Sequence, residues 1–232
     1  MFNQNYMETN MGSLQNNYRY ERKYKLNISE YNILVNNVLS DGMKVQHPTR
    51  FINNIYFDSL NFDSYFENVE GESERNKYRL RWYGVQFDTI KPTFEVKIKK
   101  DQVNKKKNLK IPEVAFSSFS DVEKVFRHVL NYMEKKEAIL FFEMMNKIPA
   151  ILNRYKRDYF LSKDGETRLT IDRNMFFYNC RNNQQYTQDE IMIVEVKHAS
   201  NITPKINFDK FQLILGKNSK YVTGIDFTKL NQ

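Results

Sequence analysis

Five stretches of this chain alternate strictly between long charged side chains and apolar ones. A period of two is typical of a β-strand, because neighbouring side chains of a strand point to opposite faces of the sheet. Each strand would therefore have one apolar face and one mostly basic face with an occasional carboxylate. If the strands lie side by side, their charged faces form one cationic surface, and that surface requires an anion. The charged residues of these stretches run, at every second position, from Arg19 to Lys25, Lys77 to Arg81, Glu95 to Lys99, Arg168 to Asp172 and Glu195 to Lys197.

Composition sets the class of partner and the compartment that we expect. The chain has 232 residues, is 41% hydrophobic and carries a formal net charge of +8 at pH 7. This allows a substantial core, and the basic surplus points to polyanions such as nucleic acid, phosphate compounds or anionic lipid. The single cysteine, Cys180, excludes an internal disulfide and favours a reducing compartment. Because we find neither a secretory signal nor a membrane-spanning stretch, we expect a soluble, cytoplasmic protein.

The arrangement of the predicted elements favours an α+β fold. Residues 1–17 are predicted to be a disordered leader, and residues 18–232 a single domain. Helices predicted over residues 29–39, 121–146 and 204–215 need an apolar surface for their hydrophobic stripes, and the apolar strand faces provide it. The charged faces would then look away from the helices. We therefore predict a closed antiparallel β-barrel with helices packed outside, because closure turns the charged faces inward and removes exposed strand edges.

Local signals predict where the helices begin and how the chain ends. Ser29 is predicted to cap the first helix. Ser120 and Glu123 have the spacing of a capping box for the second helix. Residues 217–227 are predicted to end in a short strand.

Other chemistries find little support in the sequence. His47, His128 and His198 are scattered, so that with one cysteine they do not form a usual zinc site. The chain has no Gly-rich phosphate loop or dinucleotide-binding turn, so side chains would have to hold any phosphate groups. Many cations with a few carboxylates fit a polyphosphate with a hard divalent metal ion. The lysine run at 105–107, taken alone, is interpreted as a solvated loop.

Several short motifs resemble those of the triphosphate tunnel metalloenzymes. More narrowly, they resemble the vacuolar transporter chaperone (VTC) domain, the polyphosphate polymerase branch of that superfamily. The matching motifs occur in the family's order between residues 18 and 227. They are Tyr20–Tyr24, Tyr56–Asp58, Lys77–Gly84, Phe94–Lys97, Tyr155–Arg157, Arg168–Asp172, Val194–Lys197 and Lys217–Tyr221.

The resemblance implies a tunnel of about eight antiparallel strands, with ATP as phosphoryl donor, inorganic polyphosphate as product and a divalent metal, Mn²⁺ or Mg²⁺. It matches Glu195 to the family's metal-binding carboxylate. We expect Lys97 and Lys220 to stabilise the transferring group, which makes Lys97, Lys220 and Glu195 the candidate catalytic residues. The family's phosphate-binding positions match Lys23, Arg79, Arg81, Lys97, Lys110 (preferred to Lys107), Arg157, Arg168, Lys217, Ser219 and Lys220.

One departure from the superfamily pattern bears on the reaction. Hydrolytic relatives carry Glu-x-Glu-x-Lys on the first strand, whereas the same frame here reads Arg19, Glu21 and Lys23. The loss of one carboxylate favours the polymerase branch over a two-metal hydrolase or a cyclase. A hydrolase or cyclase on the same scaffold and a non-catalytic polyanion or nucleic-acid binder stay open. Nucleic acid is the less favoured partner, and the sequence does not indicate an oligomeric state.

Two structural roles are considered for some of the charged and aromatic residues. Glu21 and Glu95 either orient neighbouring cations in the site or form ordinary cross-strand ion pairs. Tyr78, Leu80 and Trp82 share the parity of the apolar face. We therefore interpret these three as core contacts under a helix rather than as a stacking surface for a nucleobase.

Overall fold

The computed structural model describes residues 19–100, 103–199, 206, 208, 211 and 213–229. It combines α-helices with a large antiparallel sheet, as the predicted α+β class requires. The strands are β1 Arg19–Asn27, β2 Lys44–Asp58, β3 Glu74–Tyr83, β4 Asp88–Ile90, β5 Thr93–Lys100, β6 Val103–Lys110, β7 Val114–Phe116, β8 Ile148–Leu161, β9 Arg168–Asn179, β10 Gln185–Gln188, β11 Ile191–Ala199 and β12 Ile214–Leu215. The helices are α1 Tyr31–Ser40, α2 Asp63–Glu70, α3 Val122–Lys136, α4 Ala138–Met144 and α5 Lys220–Lys229.

The main sheet contains ten strands, and its neighbours are all antiparallel. Its order is β12-β1-β11-β9-β8-β2-β3-β5-β6, with β10 paired to β9. A separate small sheet joins β4 to β7. The order brings the first strand of the chain beside β11, so the motifs at the two ends of the sequence share one surface.

The prediction of a closed barrel was wrong for the backbone of the described residues. Within that part of the chain, β6 and β12 are the two edges of the main sheet and do not pair with each other. β6 carries four lysines among its eight residues, and lysines on an edge strand oppose pairing with a further strand. β12 has only two residues and pairs with β1.

The open sheet is nevertheless strongly curled. The Nζ atom of Lys77 on β3 donates to Oγ of Ser219, just after β12, at 3.2 Å. Five strands separate β12 from β3 in the sheet order, so a flat sheet would put them roughly 30 Å apart. The two halves of the sheet therefore face each other across a concave surface, and the contact between them is made by side chains.

Helices cover the apolar side of this curled sheet. Helices α3 and α4 pack on β2, β3, β5 and β8 in the largest hydrophobic cluster, which includes Tyr78, Leu80 and Trp82. Helix α1 packs on β1, β8, β9 and β11 in a second cluster. Tyr78, Leu80 and Trp82 are at most 5% exposed, which confirms that they are core residues.

Helix α5 lies on the other side of the sheet, where a short strand was predicted to end the chain. Its buried residues Tyr221 and Ile225 pack against Tyr56, Ile151 and Tyr155 in a third cluster. The buried positions of α5 recur at helical spacing, which explains why a helix forms here. The predicted helix over 204–215 lies mostly outside the described residues, and its end was wrong because β12 occupies 214–215.

Two other local predictions were wrong in detail. Asn27, rather than Ser29, provides the first cap, because its side chain accepts a hydrogen bond from the backbone N–H of Ser29. The capping box before α3 uses Ser118 and Asp121, two residues earlier than predicted.

Helix α2 was not predicted. Its first turn is capped from the preceding strand by Asp58, whose carboxylate accepts hydrogen bonds from the backbone N–H groups of Ser64 and Tyr65. A cap supplied from so far back along the chain is not recognised by the usual spacing of capping residues. The predicted leader, residues 1–17, lies outside the described residues. Among the helices that the structure describes, none is long and apolar enough to cross a membrane.

We predict that Gly224→Ala destabilises the protein by lifting α5 from the sheet. A Cβ atom at this position would lie 2.8 Å from Cγ2 of Ile151 and 2.9 Å from Cδ1 of Phe177. Overpacking of this kind costs about 1–3 kcal/mol, although alanine is favoured over glycine in a helix by about 1 kcal/mol. Urea unfolding should show a lower free energy of unfolding for Gly224→Ala than for the adjacent control Thr223→Ala. Equal or greater stability of Gly224→Ala would contradict this packing.

Candidate functional site

The side of the main sheet that faces away from α3 and α4 collects the charged residues of the alternating stretches. We call it the charged face. Residues directly opposite each other in neighbouring strands lie on the same face, so the strand register assigns its members. From β1 to β6 they are Glu21, Lys23, Glu195, Lys197, Arg168, Asp172, Arg157, Arg79, Arg81, Lys77, Glu95, Lys97, Lys106 and Lys110.

Two carboxylates and two lysines alternate where β1 meets β11. The Nζ atom of Lys23 lies 2.7 Å from Glu21 and 3.7 Å from Glu195. The Nζ atom of Lys197 lies 2.7 Å from Glu195 and 3.3 Å from Glu21. Each lysine thus bridges both carboxylates, and the two carboxylates are close enough to repel each other electrostatically.

This group of four keeps its carboxylates ionised. Desolvation alone would raise the pKa of Glu195, but Lys23 and Lys197 hold it far below its usual range. Desolvation alone would likewise lower the pKa of Lys23, but Glu195 and Glu21 raise it. Glu195 is therefore a carboxylate anion at any physiological pH, as a ligand for a hard cation must be.

A second group of charges joins β3, β5 and β6 around Glu95. Arg79 donates from Nε to the carboxylate of Glu95 at 2.6 Å, and Arg81 lies 3.7 Å from it. Lys106 Nζ donates to the other oxygen of Glu95 at 2.7 Å. Despite desolvation, these cations lower the pKa of Glu95 to about 2. Arg81 also donates to the side-chain oxygen of Asn54 at 2.8 Å, which fixes the guanidinium.

Asp172 on β9 organises a third group. Its two oxygens accept hydrogen bonds from Nε and Nη2 of Arg157, at 2.5 and 2.6 Å. Lys220, the first residue of α5, also donates to Asp172, and its Nζ lies 4.6 Å from the centre of the Tyr155 ring. Asp172 is fully buried, so this pairing places two of the predicted phosphate-binding residues in fixed positions.

Lys77 and Lys97, near the middle of the charged face, have no carboxylate within ion-pair distance in the described part of the chain. Desolvation lowers the pKa of Lys97; across the curled sheet, Glu21 and Glu195 partly oppose this shift, while Lys23 and Lys197 add to it. Burial, followed by the positive charges of Lys23 and Lys97, lowers the pKa of Lys77 to about 7. Uncompensated positive charge is thus concentrated where β3 and β5 face β1.

The remaining predicted residues lie nearer the ends of this face. Arg168 is exposed opposite Lys197, and Lys110 is exposed opposite Thr93. Lys217 is exposed beside Gly71, after β12. Ser219 accepts the hydrogen bond from Lys77 described above.

The β6 register separates the lysines between 105 and 110. Lys107 lies on the helix side of the sheet and pairs with Glu137 at 2.8 Å, whereas Lys110 lies on the charged face. Lys106 also lies on the charged face and contacts Glu95, so the interpretation of residues 105–107 as a solvated loop was wrong. If the turn between β5 and β6 had been located in the sequence, the alternation along β6 would have shown which of these lysines lie on the charged face.

The residues present fit a divalent metal ion only together with phosphate groups. Among the described residues, no group of three or more histidine, cysteine, aspartate or glutamate side chains could hold a metal ion. Mg²⁺ commonly binds through one or two carboxylates together with substrate phosphates and water. Glu195, with Glu21 beside it, provides such a donor set.

Comparison with known proteins bears on this arrangement. The family model of the VTC domain matches residues 17–229. The chain belongs to the VTC domain family. The resemblance drawn from the short motifs is thereby confirmed. None of the curated proteins compared with the chain matches it.

Solved structures are similar to this VTC domain in fold. The Hippeastrum protein HpAC1, described as a candidate adenylyl cyclase with a dominant triphosphatase activity, is 12% identical, with a TM-score of 0.50 over 91% of this chain and 97% of HpAC1. A candidate adenylate cyclase from Vibrio parahaemolyticus is 12% identical, with a TM-score of 0.43 over 80% of this chain and 78% of that one. At this level of identity, the likeness to HpAC1 concerns the fold and not the activity.

We predict that Asp172→Asn strongly destabilises the VTC domain and that a polyanion partly restores its stability. The substitution leaves Arg157 and Lys220, whose side chains are 15% and 11% exposed, without this counter-charge. Removing one partner of a buried ion pair typically costs about 3–5 kcal/mol. Thermal unfolding should show a lower midpoint, with a larger upward shift on adding tripolyphosphate than the unsubstituted protein shows. The control Glu113→Gln, in an exposed pair with Lys91, should change little. Equal shifts in Asp172→Asn and in the unsubstituted protein would argue against phosphate binding beside these cations.

We predict proton uptake at Lys77 when a polyanion binds. With a pKa of about 7, the Lys77 amine is mostly neutral near pH 8. A nearby phosphate group favours the charged form and therefore raises this pKa. Calorimetric titration with tripolyphosphate near pH 8, in buffers of different protonation enthalpy, should reveal the uptake. Lys77→Met should abolish it, whereas Lys105→Met, on the helix side of the sheet, should not. Unchanged uptake in Lys77→Met would contradict the prediction.

Proposed function

We propose that this VTC domain is an ATP-dependent polyphosphate polymerase. In the proposed reaction, a terminal phosphate oxygen of polyphosphate attacks the γ-phosphorus of ATP, the bond from that phosphorus to the β,γ-bridging oxygen breaks, and ADP leaves. The chain grows by one phosphate. Because the attacking oxygen is already anionic, the reaction requires no strong general base.

The observation that carries the proposal is the excess of cations on a concave face that runs from β1 to β6. The carboxylates of Glu95, Asp172 and Glu195 each contact at least two basic side chains, so they hold the cations in place without neutralising all of them. A row of fixed cations is suited to a linear polyanion that contacts many of them at once.

The chain's own residues would act chiefly by positioning and by neutralising charge. Arg79, Arg81 and Arg157 would grip phosphate oxygens, since each guanidinium is fixed by an acceptor on a neighbouring strand. Lys97 would approach the transferring group from β5, and Lys220 from α5. Such groups stabilise the charge that develops in the transition state without further rearrangement.

A divalent metal, Mn²⁺ or Mg²⁺, belongs to the proposal as a cofactor. Glu195 would hold the ion, with Glu21 as a neighbouring oxygen donor and phosphate groups completing the coordination. A bound divalent ion neutralises phosphate charge and orients the reacting groups.

A triphosphate hydrolase is the second candidate. One observation favours it: Glu21 and Glu195 are close enough to interact, so this region provides two carboxylates, as metal-dependent hydrolysis commonly uses. Against it, the first strand carries Arg19, Glu21 and Lys23 where hydrolytic relatives carry Glu-x-Glu-x-Lys. That strand therefore supplies one carboxylate rather than two, and we rank the polymerase first.

Incubation with ATP and Mn²⁺ separates these functions. We expect long polyphosphate chains, visible on a gel, and a stoichiometric release of ADP. Glu195→Gln and Lys97→Ala should each reduce the initial rate at least tenfold, because one removes the metal ligand and the other a charge at the transferring group. Glu113→Gln and Lys105→Ala are the matched controls, and both should retain activity.

Other outcomes would replace the proposal. Orthophosphate without long chains would identify a hydrolase, and cyclic nucleotide a cyclase. No turnover, together with salt-sensitive binding of an oligonucleotide, would indicate a polyanion-binding module. A cytoplasmic location, expected from the single cysteine, stays a prediction to be checked by fractionation.

A further inference from the structure

Tyr83, the last residue of β3, is an exposed aromatic residue on the charged face. Its neighbour Trp82 is in the hydrophobic core and 1% exposed, and side chains alternate along a strand, so Tyr83 points to the side that carries Arg79 and Arg81. The residue is 54% exposed. This ring lies at the end of a row of phosphate-binding candidates and is open to water.

Arg50 supports this ring from the neighbouring strand. Its guanidinium carbon lies 5.4 Å from the centre of the Tyr83 ring and 4.9 Å from the centre of the Tyr159 ring. The guanidinium thus lies against both tyrosines, within the range of a cation–π interaction. Tyr159 is only partly exposed, and His47 packs edge-on against it at 5.5 Å. Tyr83 is therefore the ring of this row that offers an open surface.

Arg50 also has unused hydrogen-bonding capacity. Its Nε atom is buried, and the described residues give it no hydrogen-bond partner. Buried polar atoms without a partner are uncommon in folded proteins and are costly. Because Nε itself is out of reach of a ligand, a base stacked on Tyr83 would approach the guanidinium group that lies beside the ring.

The spacing along β3 matches the order of groups in a nucleoside triphosphate. Tyr83 lies two residues beyond Arg81, about 7 Å along the strand, and four residues beyond Arg79, about 13 Å. A phosphate chain held by the two arginines would therefore have its nucleoside end directed to Tyr83. Aromatic side chains stack on bases of any sequence, because every base presents a π-face.

We infer that Tyr83 and Arg50 form a stacking site for the base of the nucleoside triphosphate, at the end of the charged face beyond Arg81. The inference rests on the proposed function, because it assigns the donor's base a place on the surface that binds its phosphates. A single open ring suits one base rather than a strand of nucleic acid. Inorganic tripolyphosphate, which has three linked phosphates and no nucleoside, would leave this site unused.

Equilibrium binding of ATP and of tripolyphosphate to the full chain tests the inference. Tyr83→Ala should weaken ATP binding by about 5- to 150-fold, the usual effect of losing one stacked ring, and should change tripolyphosphate binding less than twofold. Tyr83→Phe keeps the ring and should restore ATP affinity. Tyr20→Ala is the matched control, because Tyr20 is also 54% exposed but lies on the opposite parity of β1, stacked on His198. This control should alter neither affinity.

The result that would overturn the inference is an unchanged ratio of the two affinities in Tyr83→Ala. Equal losses for ATP and tripolyphosphate would mean that Tyr83 supports the phosphate site, and no loss for either would mean that the ring contacts no ligand. Failure of the proposed function gives a different result. ATP binding without polyphosphate synthesis would reject the polymerase, whereas the ratio of the ATP and tripolyphosphate affinities would still test the base site.

Discussion

Repulsion among basic side chains on one face of the sheet is the constraint on which the rest of this structure depends. Lys97 and Lys106 lie directly opposite each other in the β5–β6 register, and Lys97 also experiences the charges of Lys23 and Lys197 across the concave surface. Closing the sheet by pairing β6 with β12 would bring these charges closer together. The sheet is curled but open, and an anion bound on its concave face would reduce this repulsion.

The carboxylates determine which cations are fixed and which stay available. Asp172 is the most buried, and it aligns Arg157 with Lys220 from a different element, so that the sheet and α5 form one site. Glu95 performs a similar role for Arg79 and Lys106. Ion pairs of this kind are worth little as net stabilisation when they are buried. Their effect here is orientation, since a guanidinium that already has a fixed plane loses less conformational entropy when it binds a phosphate group.

The alternating pattern allowed the charged face and the core face to be predicted from the sequence, because side-chain parity in a strand is a local property. It correctly separated Arg79 and Arg81 from Leu80 and Trp82. The pattern could not show that Asp172 pairs with Arg157, because the pairing depends on which strands are neighbours and in what register. The same limit misplaced Lys106, whose parity depends on the turn before β6. Helix α5 was not predicted because its buried residues contact the concave side of the sheet. Their helical spacing can be interpreted only when it is known that this side offers an apolar surface.

The opposite, apolar face of the sheet stabilises a fold that carries so much charge on one side. Aromatic and aliphatic residues of β2, β3 and β5 pack under α3 and α4, and this burial supplies the favourable free energy that offsets the repulsion on the charged face. Stability and ligand binding are then coupled, because any polyanion that binds the folded state and not the unfolded chain removes part of the same repulsion. Lys77 is an example of this coupling: its pKa is lowered by burial and then by neighbouring cations, and a phosphate group bound nearby would favour its protonated form. A sheet that tolerates an excess of positive charge on its concave face is therefore suited to binding a linear anion.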